Sequence, residues 1–208
     1  MARKSGYSRE LRQRVAYEAA RLIAHHGIND YYLAKTKAAT SLGVVDKGAL
    51  PNNREIEQAL QEAARLFDGD ENGQRLARMR DCAVAVMQGL SEFSPRAVGP
   101  IVSGAIGANS AVELHLFSEP AEMVAMALLE AAPDMTVAEA RVRLDRERTE
   151  IYPAYLFDVD GVTVDVTVFP LDGRRQAPLS PVTGRPMKRL NARDLSALDD
   201  SAEDTSLA

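Results

Sequence analysis

The sequence predicts an α+β fold in which an N-terminal helical module is followed by a mixed β-sheet flanked by helices. Apolar residues recur at helical spacing over residues 1–67, whereas several segments of residues 74–172 alternate apolar and polar side chains as half-buried strands do. Between them, the acidic stretch DGDENG at 68–73 contains no apolar residue, which favours a linker. We therefore expect a helical module, a linker and a sheet domain, in that order.

The composition limits the class of protein. At 208 residues with 46% hydrophobic content, the chain is long enough to bury the core of one sizeable domain. It has no uninterrupted apolar run of the roughly 18 residues that a membrane span needs, and residues 1–14 lack the apolar centre of a secretory signal. We expect a cytoplasmic protein with no membrane partner. The single cysteine, Cys82, excludes an internal disulfide and predicts a small buried side chain on a helix.

Three helices are predicted in the N-terminal module. The first runs from an N-cap at Ser8 to His26, with Gly27 as its C-cap, and its apolar stripe comprises Leu11, Val15, Ala19, Leu22 and Ile23. The second covers YYLAKTKAATSLGV, and the third begins at Asn52 or Asn53. Residues 1–47 carry nine basic and four acidic side chains, although the whole chain has a net charge of -5. This asymmetry leaves two alternatives open: nucleic acid as a partner of the basic helices, or a solvated basic face.

The sheet domain is predicted from alternating strands and two further helices. One helix covers about residues 74–90, and a second, over 119–132, buries a stripe of Met123, Met126 and Leu129. Residues 136–148 fit either a helix opened by a capping box or a strand, and their alternation favours a strand. Asp160-Gly161 predicts a tight hairpin turn. Residues 173–208 are predicted to be a basic extension that ends in a disordered acidic tail.

Two strands carry polar side chains that point to a site. Side chains two apart on a strand share a face, so in VELHLF Glu113 and His115 lie opposite the apolar residues of that strand. In VTVDVTVF, Asp165 likewise lies opposite the valines. If the two strands are neighbours, the three side chains converge, and clustered carboxylates are what Mg²⁺ requires for phosphoryl transfer. The alternative is the solvated face of an ordinary half-exposed sheet.

The order of these features resembles the nucleotidyltransferase superfamily, whose members share a polymerase-beta-like fold. The features are a Gly-containing turn after a strand, a strand with metal-binding residues two apart, and a carboxylate on a later hairpin strand. They extend over about residues 74–170, and GAIGANSAVELHLF with YLFDVDGVTVDVTVFP looks like a group of small proteobacterial proteins assigned to that superfamily, with atypical active-site residues. In the superfamily a Gly-Ser pair holds the triphosphate, two carboxylates bind two metal ions, and a third helps activate the attacking hydroxyl.

The resemblance implies a divalent metal ion, Mg²⁺ or Mn²⁺, as cofactor and a nucleoside triphosphate as substrate. Glu113 and Asp165 match the first and third carboxylates, and His115 occupies the second position as a metal ligand or a base. In the other register Glu113 is the second carboxylate and Ala111 replaces the first. Because imidazole is a poor ligand for Mg²⁺ and a better one for Mn²⁺, the histidine either changes the metal or removes catalysis.

The phosphate-binding residues implied by the resemblance also depart from the family pattern. Gly104 takes the place of the family glycine, but an alanine follows it, so the hydroxyl would come from Ser103 or Ser110. The basic extension offers further phosphate ligands: Arg174, Arg175, Arg185, Lys188 and Arg189. These either fold back over a triphosphate or a nucleic-acid backbone, or belong to a flexible basic linker.

Two functions of different class therefore remain open from the sequence. The first is a metal-dependent nucleotidyltransferase that transfers a nucleotidyl group from a nucleoside triphosphate to a hydroxyl acceptor. The alternative is a catalytically degenerate protein of the same fold that binds nucleic acid or another ligand, with the basic N-terminal helices as the contact surface. The sequence leaves the acceptor, the nucleotide preference and the oligomeric state open.

Overall fold

The computed structural model describes residues 2–26, 28, 30–67 and 69–198, and the side chains of all these except residues 2–8, 47, 65–67 and 69–70. The described chain forms two compact units. We call the first the helical unit; it contains the residues up to Gly73 together with Gly104–Ser110 and Pro181–Thr183. We call the second the sheet unit; it contains Gln74–Ser103, Ala111–Ser180 and the residues from Gly184 onward.

The helical unit is built on α1 (Ala2–His26), α2 (Tyr31–Ser41) and α3 (Asn53–Phe67). Helix α1 begins at Ala2, so the predicted start at Ser8 is wrong, and the predicted cap Gly27 lies outside the described residues. No proline or β-branched run interrupts residues 2–7, and a single glycine costs a helix only about 1 kcal/mol. The helix therefore begins at Ala2, before the predicted N-cap at Ser8.

The core of the helical unit is made largely of small side chains. Val15, Ala19 and Ile23 of α1 are buried, which confirms the predicted stripe at these positions. They pack in one cluster with residues of α2, of α3 and of the segment Gly104–Ser110: Ala34, Ala38, Ile56, Leu60 and Ala105. Alanines at the contacts let the helices approach closely, since they bring no long side chains between the backbones.

The starts of α2 and α3 are fixed by side-chain caps. Asp30 Oδ1 accepts hydrogen bonds from the backbone N–H of Tyr32 at 2.7 Å and of Leu33 at 3.1 Å. At α3, the N–H of Glu55 donates to Asn52 Oδ1 at 2.9 Å, and the N–H of Asn52 donates to Glu55 Oε2 at 2.7 Å. This reciprocal pair is a capping box, so Asn52 is the cap and the predicted start of the third helix is confirmed.

The segment predicted to be a linker is helical where it is described. Helix α4 (Gly69–Gly89) includes residues 69–73, and residue 68 lies outside the described residues. The boundary between the two units falls after Gly73, at the end of the predicted linker and inside this helix. Acidic side chains in the first turn favour a helix because they meet the positive end of its dipole. Cys82 is part-buried on α4.

The sheet unit contains five strands: β1 (Arg96–Val98), β2 (Val112–Phe117), β3 (Thr136–Arg143), β4 (Thr149–Val159) and β5 (Val162–Phe169). Their order in the sheet is β1-β2-β5-β4-β3. Strands β2 and β5 are parallel, and the other neighbouring pairs are antiparallel. Two helices, α5 (Pro100–Ser103) and α6 (Glu122–Ala131), flank β2 along the chain. The predicted α+β architecture, with helices before a mixed sheet, is confirmed.

The hairpin of β4 and β5 forms as the sequence predicts. Val159 and Val162 are the last paired residues, and Asp160 and Gly161 between them have φ values of 50° and 78°. Two consecutive positive φ angles are what a tight turn of matching twist needs, and Asp-Gly adopts them readily. Residues 136–143 form β3, which confirms the strand over the helix alternative.

Helix α6 buries a different stripe from the predicted one. Met123, Met126 and Leu129 are 48%, 67% and 53% exposed, whereas Val124 and Leu128 are buried. The prediction for the methionines and Leu129 is therefore wrong. The side chains that pack are those of Val124 and Leu128, which are four positions apart and lie on a different face of the helix from the predicted stripe. A row of apolar side chains is consequently left on the surface.

The basic extension contacts the sheet through residues that follow Gly184. Ala97 of β1 and Leu190 exchange backbone hydrogen bonds of 2.8 and 3.0 Å, and residues 192–198 are helical with Leu195 fully buried. The acidic tail at 199–208 lies outside the described residues. Leu190 and Leu195 therefore anchor this Pro-, Gly- and Arg-rich extension to the sheet unit. In the part of the chain that the structure describes, no helix is both long and apolar enough to span a membrane.

Candidate functional site

The parallel pairing of β2 and β5 brings two predicted site residues together. Glu113 and Asp165 are direct Cα partners in this pairing, and His115 lies opposite Thr167 two positions further along. Directly opposed residues on neighbouring strands point to the same face of a sheet. The predicted juxtaposition of the three polar residues on one face, opposite the valines, is therefore confirmed.

The two carboxyl groups lie in an environment that disfavours their charge. The pKa of Glu113 is raised to about 7, mainly by burial and to a smaller extent by the charge of Asp165. Burial also raises the pKa of Asp165. Asp165 Oδ1 is buried and has no hydrogen-bond partner among the described residues. A buried carboxylate oxygen without a hydrogen-bond donor costs free energy. A proton or a cation at this carboxyl pair would supply the missing interaction.

Gly99 shapes the surroundings of Glu113. It directly follows β1, has φ +68°, and a Cβ atom placed on it would lie 2.3 Å from Glu113 Oε2. The backbone at Gly99 therefore lies against the carboxylate, and only glycine has both the conformation and the space for this. The glycine turn that follows a strand is thus Gly99 and not Gly104. In the sequence, the Gly-Pro pair after RAV marks a turn but not the approach of Glu113.

The residues predicted to bind phosphate are divided between the two units. Ser103 ends α5 in the sheet unit, and its backbone N–H donates to Gly99 O at 3.1 Å. Gly104 and Ser110 belong to the helical unit. There, Ser110 Oγ accepts a hydrogen bond of 2.8 Å from the N–H of Gly107, so this hydroxyl serves a local turn.

His115 is buried rather than solvent-facing. Its side chain is 6% exposed, and its ring packs on Phe169 with the centroids 4.6 Å apart. Nδ1 accepts a 3.1 Å hydrogen bond from Arg189 Nε, which assigns the hydrogen of a neutral ring to Nε2. The pKa of His115 is lowered to about 3, mainly by burial and to a smaller extent by the charge of Arg189. A guanidinium at Nδ1 opposes a metal ion there, so the oxygen ligands that fit a cation are those of Glu113 and Asp165.

Arg189 fixes the basic extension over the same face of the sheet. Its guanidinium lies 5.0 Å from the ring centroid of Phe117 and 5.1 Å from that of Phe169, and Nη1 donates to Gly173 O at 2.7 Å. Arg174 lies 5.7 Å from the Phe117 ring, whereas Arg175 is exposed at the end of a short 3₁₀ turn. Of the basic residues predicted as phosphate ligands in the extension, the structure thus brings Arg174 and Arg189 to the face that carries Glu113.

A divalent ion fits this site only with ligands from outside the protein. Within the described residues, no three His, Cys, Asp or Glu side chains form a group able to hold a metal ion. Magnesium, however, is commonly bound through one or two carboxylates while substrate phosphates and water complete its shell. Glu113 with Asp165, one of whose oxygens lacks a partner, is a donor set of that kind.

Comparison of the chain with protein-family models, curated proteins and solved structures found no match. The likeness to nucleotidyltransferases therefore rests on the residues quoted above.

Proposed function

We propose that the sheet unit binds a nucleoside triphosphate together with Mg²⁺ or Mn²⁺ at Glu113 and Asp165 and transfers its nucleotidyl group to a hydroxyl acceptor. The observation that supports this is the buried carboxyl pair, in which each pKa is raised and Asp165 Oδ1 lacks a donor. A bound cation would supply the missing positive charge and favour the ionised forms of both groups.

The residues of this chain have distinct roles in the proposal. Glu113 and Asp165 hold the ion, which when bound neutralises triphosphate charge and polarises the phosphorus that is attacked. Asp165, which matches the third carboxylate of the superfamily, accepts the proton of the acceptor hydroxyl. Gly99 keeps side-chain atoms away from the Glu113 carboxylate. Arg174, over Phe117 on the same face, is better placed than Arg175 to meet a triphosphate.

One observation favours the alternative, a binding protein of degenerate nucleotidyltransferase fold. The position of the second metal-binding carboxylate holds His115, which is neutral and occupied by Arg189. A single ion at two carboxylates is sufficient to bind a nucleotide, whereas the two-ion chemistry of the superfamily uses three carboxylates. In this alternative the basic N-terminal helices remain the proposed surface for nucleic acid.

Turnover with a labelled nucleotide separates the two functions. Each nucleoside triphosphate, labelled at the α-phosphate, is incubated with Mg²⁺ or Mn²⁺ and a panel of sugar, nucleic-acid and protein hydroxyl acceptors. Transfer of label that Glu113→Gln and Asp165→Asn both abolish supports the enzyme. Metal-dependent binding without transfer or pyrophosphate release supports the binding protein, and the absence of both contradicts the proposal in either form.

A further inference from the structure

Strand β3 has an open outer edge. The N–H of Leu144 donates to Arg148 O at 2.9 Å across the β3–β4 hairpin, so the even-numbered residues of β3 direct their backbone groups toward β4. The odd-numbered residues direct theirs outward, and at one end Arg143 O accepts from Leu179 N–H at 2.7 Å. The outward backbone groups of Val137, Glu139 and Arg141 pair with no other described residue.

An apolar surface lies beside this edge. Val137 is 71% exposed and Ile151 of β4 is 55% exposed, and both lie on the sheet face that carries Tyr155. We call these two exposed apolar residues, Val137 and Ile151, the edge patch.

The sequence of β3 is complementary to itself when reversed. In TVAEARVR, Glu139 and Arg141 stand one position either side of Ala140. If two copies of the strand align antiparallel about Ala140, Glu139 of each copy lies opposite Arg141 of the other, and both residues have outward backbone groups that exchange hydrogen bonds. On the reverse face the small apolar residues Ala138 and Val142 meet.

We propose that β3 pairs with β3 of a second copy of this chain about a two-fold axis that passes between the two Ala140 residues, joining the two sheets edge to edge. Such an axis is perpendicular to the sheet, so the same face of both sheets points to the same side of the dimer. Arg143 O already accepts a hydrogen bond from the Leu179 N–H. The new pairing therefore ends where Arg143 faces Val137 of the second copy.

A second copy explains this edge better than protection against pairing does. Proteins that block an open edge place charges there, commonly lysines, that repel any approaching strand. Here the charges of opposite sign stand at equal distances from Ala140, so two copies attract each other in one register. Exposed apolar patches on such an edge are otherwise an aggregation hazard. A closed two-fold pairing covers the edge.

Charge reversal tests the register directly, and it does so without reference to the proposed function. The wild type is expected to show a concentration-dependent dimer in sedimentation velocity between low micromolar and near-millimolar protein. Glu139→Arg and Arg141→Glu each place like charges opposite at two symmetric positions, so each variant alone is expected to raise the dimer dissociation constant at least about tenfold. Mixed in equal amounts, the two variants form a heterodimer in which both pairs are attractive again.

The control is Glu92→Arg, the same charge change at an exposed residue on a 3₁₀ turn away from β3, which leaves dimerisation unchanged. Circular dichroism and the urea midpoint check that every variant is folded. A wild type that stays monomeric at all concentrations overturns the proposal. So do variants that dimerise like the wild type, or a mixture of the two that stays monomeric, because each result removes the Glu139–Arg141 pairing.

Discussion

Glu113 and Asp165 are direct neighbours on parallel strands β2 and β5, and burial raises the pKa of both. Two acidic groups held together in this way resist ionisation in the free protein. The arrangement weakens the fold at neutral and alkaline pH, and the cation of the proposed function would remove this cost. Ionisation of this pair therefore lowers the free energy of unfolding, which a structural role alone does not explain.

Replacing Glu113 with glutamine is expected to stabilise the free protein at high pH. The pKa of Glu113 is raised from 4.5 to about 7, so the folded protein holds a proton that the unfolded chain releases in this window. Stability conferred by the protonated group is therefore full below pH 4.5 and falls as pH rises to about 7. Urea unfolding should give equal stabilities near pH 4.5 and an advantage for Glu113→Gln of up to about 3 kcal/mol at pH 8. A difference independent of pH would contradict the raised pKa.

His115 is expected to stay neutral across the physiological range. Because its pKa is lowered to about 3, nitrogen-detected NMR should show an unprotonated Nδ1 and a protonated Nε2 from about pH 5 to 8. Arg189→Met keeps much of the side-chain bulk and removes the positive charge. Since burial is the larger cause and Arg189 the smaller, this variant should raise the pKa of His115 while leaving it below 6.5. Titration of His115 near 6.5 in the wild type would contradict both the burial of its ring and its contact with Arg189.

Alanine at Gly99 is expected to displace the Glu113 carboxylate. The substitution forces φ +68° on a residue with a side chain and places Cβ 2.3 Å from Glu113 Oε2. Gly161→Ala is the matched control, because Gly161 has φ +78° but nothing within 4 Å of the added atom. Chemical denaturation should show the backbone cost, roughly 1–2 kcal/mol, in both variants. Metal-dependent nucleotide binding should be weakened only in Gly99→Ala; equal weakening in both would refute the contact.

The helix at residues 192–198 is expected to stabilise the sheet unit. Leu195 is fully buried, so Leu195→Ala should lower the free energy of unfolding by about 2–5 kcal/mol. The neighbouring Ser196→Ala, at an exposed position, should change it by less than about 0.5 kcal/mol. Thermal and urea unfolding of both variants measures this directly. If Leu195→Ala unfolds like the wild type, the extension does not pack as described.

Local patterns predicted the parts of the fold that local forces determine. Alternation in VTVDVTVF and the Asp160-Gly161 pair were sufficient to predict the hairpin, and the same alternation predicted that Asp165 shares a face with Glu113. These features depend on the two-residue period of a strand and on turn chemistry, which neighbouring residues carry.

Features that depend on distant parts of the chain could not be predicted in this way. Arg189 contacts His115 across 74 positions of sequence, and no local pattern distinguishes it from the other arginines of the extension. The buried face of α6 was mistaken because Met123, Met126 and Leu129 form an equally regular stripe, and only the packed sheet selects Val124 and Leu128. Gly99 was missed because its role lies in the approach of Glu113 and not in its own neighbours.

The most direct test of the carboxyl pair is calorimetric titration of ATP, GTP, CTP and UTP into the protein with Mg²⁺, with Mn²⁺ and with neither ion. The wild type is compared with a Glu113→Gln, Asp165→Asn double variant, and Glu92→Gln serves as a control at an exposed position. The proposed site predicts metal-dependent binding of at least one nucleotide that the control retains and the double variant loses. No binding of any nucleotide with either ion, or unchanged binding by the double variant, would contradict it.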